Sequence, residues 1–211
     1  MARSNPYRND PRTRDAKSRG FPARRVFKLE EIDRRVRLFK QGQHVLDLGA
    51  APGSWSMYAS QRLGGAGRVL SVDVTAIQRP LGPNVTILQG DALSLGNEQL
   101  ALFAPYDVVL SDMAPSTTGQ READAARSAE LYVRALDVAA ALLEPGGSFV
   151  GKLFMGEDFE ASRARTREVF EEVRVIRPEG TRSNSVEVFL VGLRRRAEQE
   201  LEHRFLGGAA Q

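Results

Sequence analysis

Seven short apolar runs, most of them separated by stretches of helical character, constrain the fold of this chain more than any other feature. The runs cover roughly residues 44–48, 68–72, 85–89, 106–111, 148–153, 173–177 and 187–193. Several are continuously apolar rather than alternating, which is typical of strands buried on both faces of a parallel sheet. The pattern predicts an α/β fold built from βαβ units, with a seven-stranded, mostly parallel sheet and helices on both faces.

The segments outside the strands divide the chain into three parts. Helical spacing of apolar residues predicts an amphipathic helix over residues 23–40 and further helices over residues 54–63, 127–143 and 158–170. A chain of 211 residues fits one domain, which we place at residues 23–193. Residues 1–22 have no hydrophobic period and predict a basic, mostly disordered arm, and residues 194–211 predict a charged C-terminal tail.

Charge is distributed unevenly along the chain. Residues 1–40 hold 13 Lys and Arg against 5 Asp and Glu, a net charge of +8, whereas the remaining residues carry −5. A basic segment on a slightly acidic body is typical of a protein that binds a polyanion, although a solvated surface would give the same count.

Composition excludes several classes of protein. The chain has no Cys and two His, so disulfides and a histidine-based zinc site are excluded, and no metal is expected. No stretch approaches the roughly 20 apolar residues that a membrane span requires, and the polar N-terminus lacks a signal sequence. We therefore expect a cytoplasmic monomer that makes no membrane contact.

A loop of small residues follows the first predicted strand and precedes a helix. Gly49 and Gly53 let the main chain approach a ligand closely, and the helix that begins near Ser54 offers free N–H groups. Asp73, at the end of the second strand, lies at the distance expected of a carboxylate that binds ribose hydroxyls. In open α/β sheets, ligands bind beyond the carboxyl ends of the strands. The segment predicts a nucleoside site.

Three acidic residues at consecutive strand ends indicate which nucleoside. Asp73, Asp91 and Asp112 follow the second, third and fourth strands, and Asp91 is placed to accept from an adenine amino group. Three carboxylates suit a ligand with a positive charge and no phosphates, and S-adenosylmethionine is such a ligand. Each acid could instead cap a helix or turn. A nicotinamide cofactor is disfavoured because the loop reads G-x-x-x-G, with Pro52 inside it, rather than G-x-G-x-x-G.

Charged side chains in apolar contexts are the candidates for chemistry. Lys152 lies inside the fifth apolar strand, where burying an amine costs free energy unless the amine is paired or functional. The alternative interpretation is a structural lysine whose side chain extends to solvent from the end of the strand. Glu187 begins the seventh strand. Lys28 lies in the N-terminal amphipathic helix and by itself would be interpreted as an exposed helix lysine.

At these residues the sequence resembles the FtsJ/RrmJ-type ribose 2′-O-methyltransferases. The resemblance covers residues 23–193 and rests on five segments. They are Phe27-Lys28-Leu29, Asp47 to Gly53 with Trp55, Ser111 to Pro115, Gly146 to Val150 with Lys152, and Glu187-Val188. The departures from the family pattern are Pro22, Arg25, Ser54 and Met155, together with fewer arginines in residues 181–186.

The resemblance implies a Rossmann-like S-adenosylmethionine-dependent methyltransferase fold and a role for each matching residue. The implied catalytic residues are Lys28, Asp112, Lys152 and Glu187, with Lys152 as the general base. The implied cofactor contacts are Gly53, Trp55, Asp73, Asp91 and Asp112.

The implied substrate is a uridine of large-subunit (23S) ribosomal RNA, with residues 1–40 contacting the RNA. A transfer RNA or mRNA-cap ribose methyltransferase is one alternative. A non-catalytic RNA-binding ribosome-assembly factor is another, disfavoured because binding alone needs no paired lysines.

Overall fold

The sheet at the centre of the molecule has the order β3-β2-β1-β4-β5-β7-β6. Our computed structural model describes residues 10–179 and 186–197. The helices are α1 Pro11–Ser18, α2 Val26–Val36, α3 Ser54–Leu63, α4 Asn97–Leu100, α5 Arg121–Leu142 and α6 Phe159–Val169. The strands are β1 His44–Leu48, β2 Arg68–Asp73, β3 Val85–Gln89, β4 Tyr106–Ser111, β5 Leu143–Phe154, β6 Phe170–Ile176 and β7 Glu187–Arg195.

Six strands run in the same direction, and β7 runs antiparallel between β5 and β6. This confirms the predicted seven-stranded, mostly parallel α/β sheet. The order of the strands reverses between β1 and β4, because β2 and β3 lie on one side of β1 and the later strands lie on the other. The crevice outside the carboxyl ends of β1 and β4 is therefore the place where such sheets bind ligands.

Two hydrophobic layers hold the helices against the sheet. On one face, Val45 and Val150 pack against Leu29 of α2 and Leu63 of α3. On the other face, the strand residues that alternate with those of the first face pack against α5 and α6. This alternation with a period of two explains why the strands appear as continuous apolar runs. Within residues 10–179 and 186–197, no helix is long and apolar enough to cross a membrane.

The N-terminal segment differs from the prediction of a disordered arm. Residues 11–18 form α1, which begins after Asp10, whose carboxylate accepts a hydrogen bond from the Arg12 backbone N–H at 3.2 Å. Ala16 and Phe21 are buried against Val26. Two apolar side chains give no visible period in the sequence, so the N-cap and the proline that follows it were the signals that could have revealed this helix.

The remaining differences are α4, which was not predicted, and the ends of several elements. Helix α5 begins at Arg121 and β5 at Leu143, both several residues earlier than predicted, and β7 continues through Arg195 into the predicted tail. Residues 1–9 of the predicted arm, residues 198–211 of the tail and residues 181–185 of the segment with fewer arginines lie outside the described residues.

Gly192 provides a test of packing between β7 and β6. A Cβ at Gly192 would lie 2.4 Å from Cδ2 of the buried Phe170 ring. We expect Gly192→Ala to lower the free energy of unfolding by about 1–3 kcal/mol, because the ring cannot move without disturbing the core. Urea denaturation would measure this. The matched control is Gly65→Ala, whose Cβ would meet nothing within 4 Å; equal stability of the two variants would contradict the packing argument.

Candidate active site

The loop between β1 and α3 lies against the end of β4. Gly49 has φ +77°, and a Cβ there would lie 2.8 Å from the backbone nitrogen of Met113. The Asp73 carboxylate accepts a hydrogen bond from the Ala51 backbone N–H at 2.8 Å and another from Thr75 at 2.7 Å. The carboxyl ends of β1, β2 and β4 are thereby joined around one loop, as the sequence predicted.

At two of the predicted cofactor contacts, other protein groups fill the space around the side-chain position. A Cβ at Gly53, which has φ +103°, would lie 2.2 Å from Cδ2 of Leu81, so Leu81 fills the space beside this glycine. The Trp55 indole is buried, donates to the Arg25 carbonyl at 2.9 Å and packs against the Phe189 ring. Trp55 therefore offers a ligand its main chain at the start of α3 rather than its ring.

Asp91 is exposed and caps the turn that follows β3. Its carboxylate accepts a hydrogen bond from the Leu93 backbone N–H at 2.9 Å. This is the simple capping role that the sequence left open for each acid. It leaves the second carboxylate oxygen for a ligand, so the predicted contact with adenine stays a prediction.

Asp47, a buried carboxylate beneath the loop between β1 and α3, was not among the predicted site residues. Ser56 Oγ donates to its Oδ2 at 2.5 Å, and Ser71 Oγ donates to Ser56 Oγ at 2.7 Å. Its Oδ1 has no hydrogen-bond partner among the described residues. Burial raises the pKa of Asp47 to about 7, opposed by the Ser56 hydroxyl and assisted by repulsion from Asp112 and Asp73. Its position inside a buried strand was the signal that could have revealed it.

This set of groups fits S-adenosylmethionine. Asp73 and Asp112 both lie close enough to Asp47 to raise its pKa by repulsion, so a positively charged ligand would relieve that repulsion, whereas phosphates would increase it. The unpartnered Oδ1 of Asp47 adds an acceptor below the loop. Among the described residues, no group of three or more His, Asp or Glu could hold a metal ion.

Lys152 and Asp112 form a buried ion pair next to this loop. The Lys152 side chain is 3% exposed, and its Nζ donates to the Asp112 carbonyl at 2.5 Å and to Oδ1 at 3.1 Å. The second carboxylate oxygen, Oδ2, lies 3.3 Å from Nη1 of Arg25, whose side chain is about half exposed. The sequence analysis named Arg25 only as an expected departure from the family pattern and gave it no role at the site.

Lys28 and Glu187 form a second ion pair on the same face of the sheet. Phe189 lies directly opposite Lys152 in the β5–β7 register, and Glu187 is two residues before it. Alternate residues of a strand share a face, so Glu187 and Lys152 are diagonal neighbours about 7–8 Å apart at Cα. Lys28 Nζ also lies 5.9 Å from the centre of the Phe189 ring. The structure thus brings the four predicted catalytic residues together.

The fold and the site define the class of protein. A ribosomal RNA methyltransferase of Plasmodium falciparum matches with a TM-score of 0.72 at 21% identity, covering 83% of this chain and 98% of that chain. Aeropyrum pernix fibrillarin, solved with S-adenosyl-L-methionine, matches with a TM-score of 0.55 at 18% identity, covering 73% and 67%. Identities this low show the fold alone. This is the Rossmann-like fold of S-adenosylmethionine-dependent methyltransferases, as predicted.

Sequence comparison identifies the family. The model of the FtsJ-like methyltransferases matches residues 21–195. Ribosomal RNA large subunit methyltransferase E of Sorangium cellulosum is 66% identical over 194 residues, covering 92% of each chain. Its counterpart in Myxococcus xanthus is 47% identical over 201 residues, covering 93% of this chain and 94% of the relative. The chain belongs to the FtsJ-like methyltransferase family.

The raised pKa of Asp47 makes stability depend on pH. The folded protein holds the proton until about pH 7, whereas the unfolded chain releases it near the ordinary value of 3.8. Unfolding between these values releases a proton, so stability falls as pH rises, by up to about 1.4 kcal/mol per pH unit. We expect Asp47→Asn to reduce this slope while retaining the acceptor for Ser56. Urea denaturation of both proteins between about pH 5 and 7 measures it; equal slopes would contradict the assignment.

Proposed function

We propose that this chain transfers the methyl group of S-adenosylmethionine to a ribose 2′-hydroxyl of large-subunit ribosomal RNA, at a uridine of the 23S molecule, in the cytoplasm. The observation that carries the proposal is the arrangement of two lysine–carboxylate pairs on one sheet face beside the end of β4. The activity named for the relatives that cover nearly the whole chain supports the ribosomal substrate.

The acidic loop end of the sheet would hold the methyl donor. Asp73 and Asp91 would bind its ribose and adenine, and Asp112 and the β1–α3 loop would hold its charged end. When bound, the donor supplies a methyl carbon made electrophilic by a neighbouring positive sulfur. The protein's task is then to hold the attacking oxygen in line with that carbon, and positioning of this kind supplies a large share of the rate.

The two lysine–carboxylate pairs have separate roles in this proposal. Lys152 acts as the general base and takes up the proton of the 2′-hydroxyl at Nζ. Asp112 then stabilises the ammonium group, since its carbonyl and Oδ1 are already within hydrogen-bond distance of Nζ. Lys28, held by Glu187, presents its ammonium group to the attacking ribose oxygen and fixes its direction. Burial of Lys152 keeps competing water away from the proton transfer.

The N-terminal basic segment would bind the RNA backbone. In α1, the side chains of Arg14 and Lys17 are exposed, and the segment continues through Arg25 to the mouth of the site. Phosphate contacts from such residues position the RNA without specifying its sequence.

Lys152→Ala tests the catalytic assignment. We expect methyl transfer to fall by roughly 10²–10⁴-fold because the variant has no group that accepts the proton. Affinity for S-adenosylmethionine should change little, since Arg25 still neutralises Asp112. Tritiated-methyl transfer onto purified large ribosomal subunits, together with calorimetric titration of the donor, separates the two. Full activity in the variant would remove Lys152 from the reaction.

Replacing Arg14 and Lys17 by Gln tests the RNA contact without removing the packing of Ala16 and Phe21. We expect weaker RNA binding and a salt dependence reduced by about 0.7–0.9 in logarithmic slope for each phosphate that is no longer neutralised. The charge-matched control replaces Arg163 and Arg165 by Gln on α6, which packs on the opposite sheet face. Filter binding across a salt series measures the slope, and identical slopes in both double variants would refute a role for α1.

A further inference from the structure

A cavity of about 400 Å³ opens beside Glu187, and the roles proposed above leave it unused. Its walls include Glu187 and Phe154 on the sheet side and Thr117, Gly119 and Arg121 on the side of the loop that follows β4. We propose that this cavity holds the base of the nucleotide that is methylated, with Phe154 as the stacking surface. The inference rests on the proposed ribose methylation and adds the subsite for the base.

Phe154 lies directly opposite Glu187 in the β5–β7 register. Its backbone N–H is held by Ser128 Oγ at 3.0 Å, which fixes the start of the side chain. The residue is partly exposed, and it belongs to none of the three hydrophobic clusters formed by the described residues. A partly exposed aromatic ring at the end of a rigid strand is suited to stacking against an unpaired base.

The opposite wall is fixed by one buried carboxylate. Asp124 accepts hydrogen bonds from the backbone N–H groups of Thr118 at 2.9 Å and Gly119 at 3.1 Å. Arg127 Nη2 lies 2.5 Å from the same carboxylate. These contacts hold the pKa of Asp124 below its ordinary value. They also fix Thr118 and Gly119 in the loop before α5, and Gly119 is part of the cavity wall.

The chemistry of a nucleotide matches this placement. The base is attached to the sugar carbon adjacent to the one that bears the 2′-hydroxyl, so it must lie within one sugar ring of the reacting oxygen. Glu187 belongs both to the cavity wall and to the pair that holds Lys28. Arg121, exposed at the rim, offers a guanidinium to a flanking phosphate. The volume falls within the roughly 300–1,000 Å³ of ordinary small-molecule sites.

The test compares Phe154→Leu with Phe154→Tyr in methyl transfer onto purified large subunits. We expect Phe154→Leu to raise the KM for the RNA substrate by roughly ten- to a hundredfold, the effect of removing one stacked base. Phe154→Tyr keeps the ring and should restore a KM near wild type. Donor affinity should be unchanged in both variants. The matched control is Phe103→Leu, a partly buried ring at the other end of the sheet.

Thermal unfolding would first establish that Phe154→Leu and Phe103→Leu are both folded. Equal KM values for the two variants would then overturn the base subsite and leave the proposed methylation standing. If Phe154→Leu does not fold, Arg121→Gln tests the same cavity from its exposed rim. It should raise the KM and reduce the salt slope by about one, and an unchanged KM and slope would overturn the subsite. A wild-type protein that methylates no ribose of ribosomal RNA would overturn both proposals.

Discussion

The buried pair of Lys152 and Asp112 couples the fold of this protein to its chemistry. An ammonium group that is 3% exposed is tolerated only with a partner, and Asp112 provides both a carbonyl and a carboxylate oxygen. The two residues pair because β4 and β5 run parallel with Ser111 opposite Gly151. Asp112 and Lys152, the next residue along each chain segment, are therefore side by side. A shift of one residue in this register would turn Lys152 to the other face of the sheet, away from Glu187.

Local patterns in the sequence were enough to predict the parts of the site that depend on strand ends. Strands buried on both faces are continuous apolar runs, and an acid that follows such a run must lie at the carboxyl edge of the sheet, where Asp73 and Asp112 are found. Helix α3 has the predicted bounds because a glycine precedes it and another follows it. The grouping of Lys28 with the other three residues came from the resemblance to a family, since spacing alone cannot bring a helix lysine to a strand.

The features that sequence reasoning missed depend on contacts between distant segments. Whether Trp55 faces a ligand or the core is decided by Phe189, more than a hundred residues away. Helix α1 has a local N-cap at Asp10, but the burial of Ala16 and Phe21 that holds it in place depends on distant segments. Ser54, which we expected to depart from the family pattern, contacts the segment before α2: its hydroxyl donates to the Ala23 carbonyl and accepts from the Ala23 N–H, both at 3.0 Å.

The distribution of charge explains how one small domain can serve two ligands of opposite sign. Lys152 and Lys28 are neutralised by Asp112 and Glu187, so the lysines add no net positive charge to the cleft. Asp73 accepts hydrogen bonds from neutral backbone groups, which leaves the loop end of the sheet acidic. The exposed cations of α1 lie outside this region, on the surface. Under the proposed function, a cationic donor would be attracted inward and a polyanion would be held at the rim, where charge is screened by salt. Arg25 lies between the two regions, with its guanidinium half exposed and the Asp112 carboxylate as its partner.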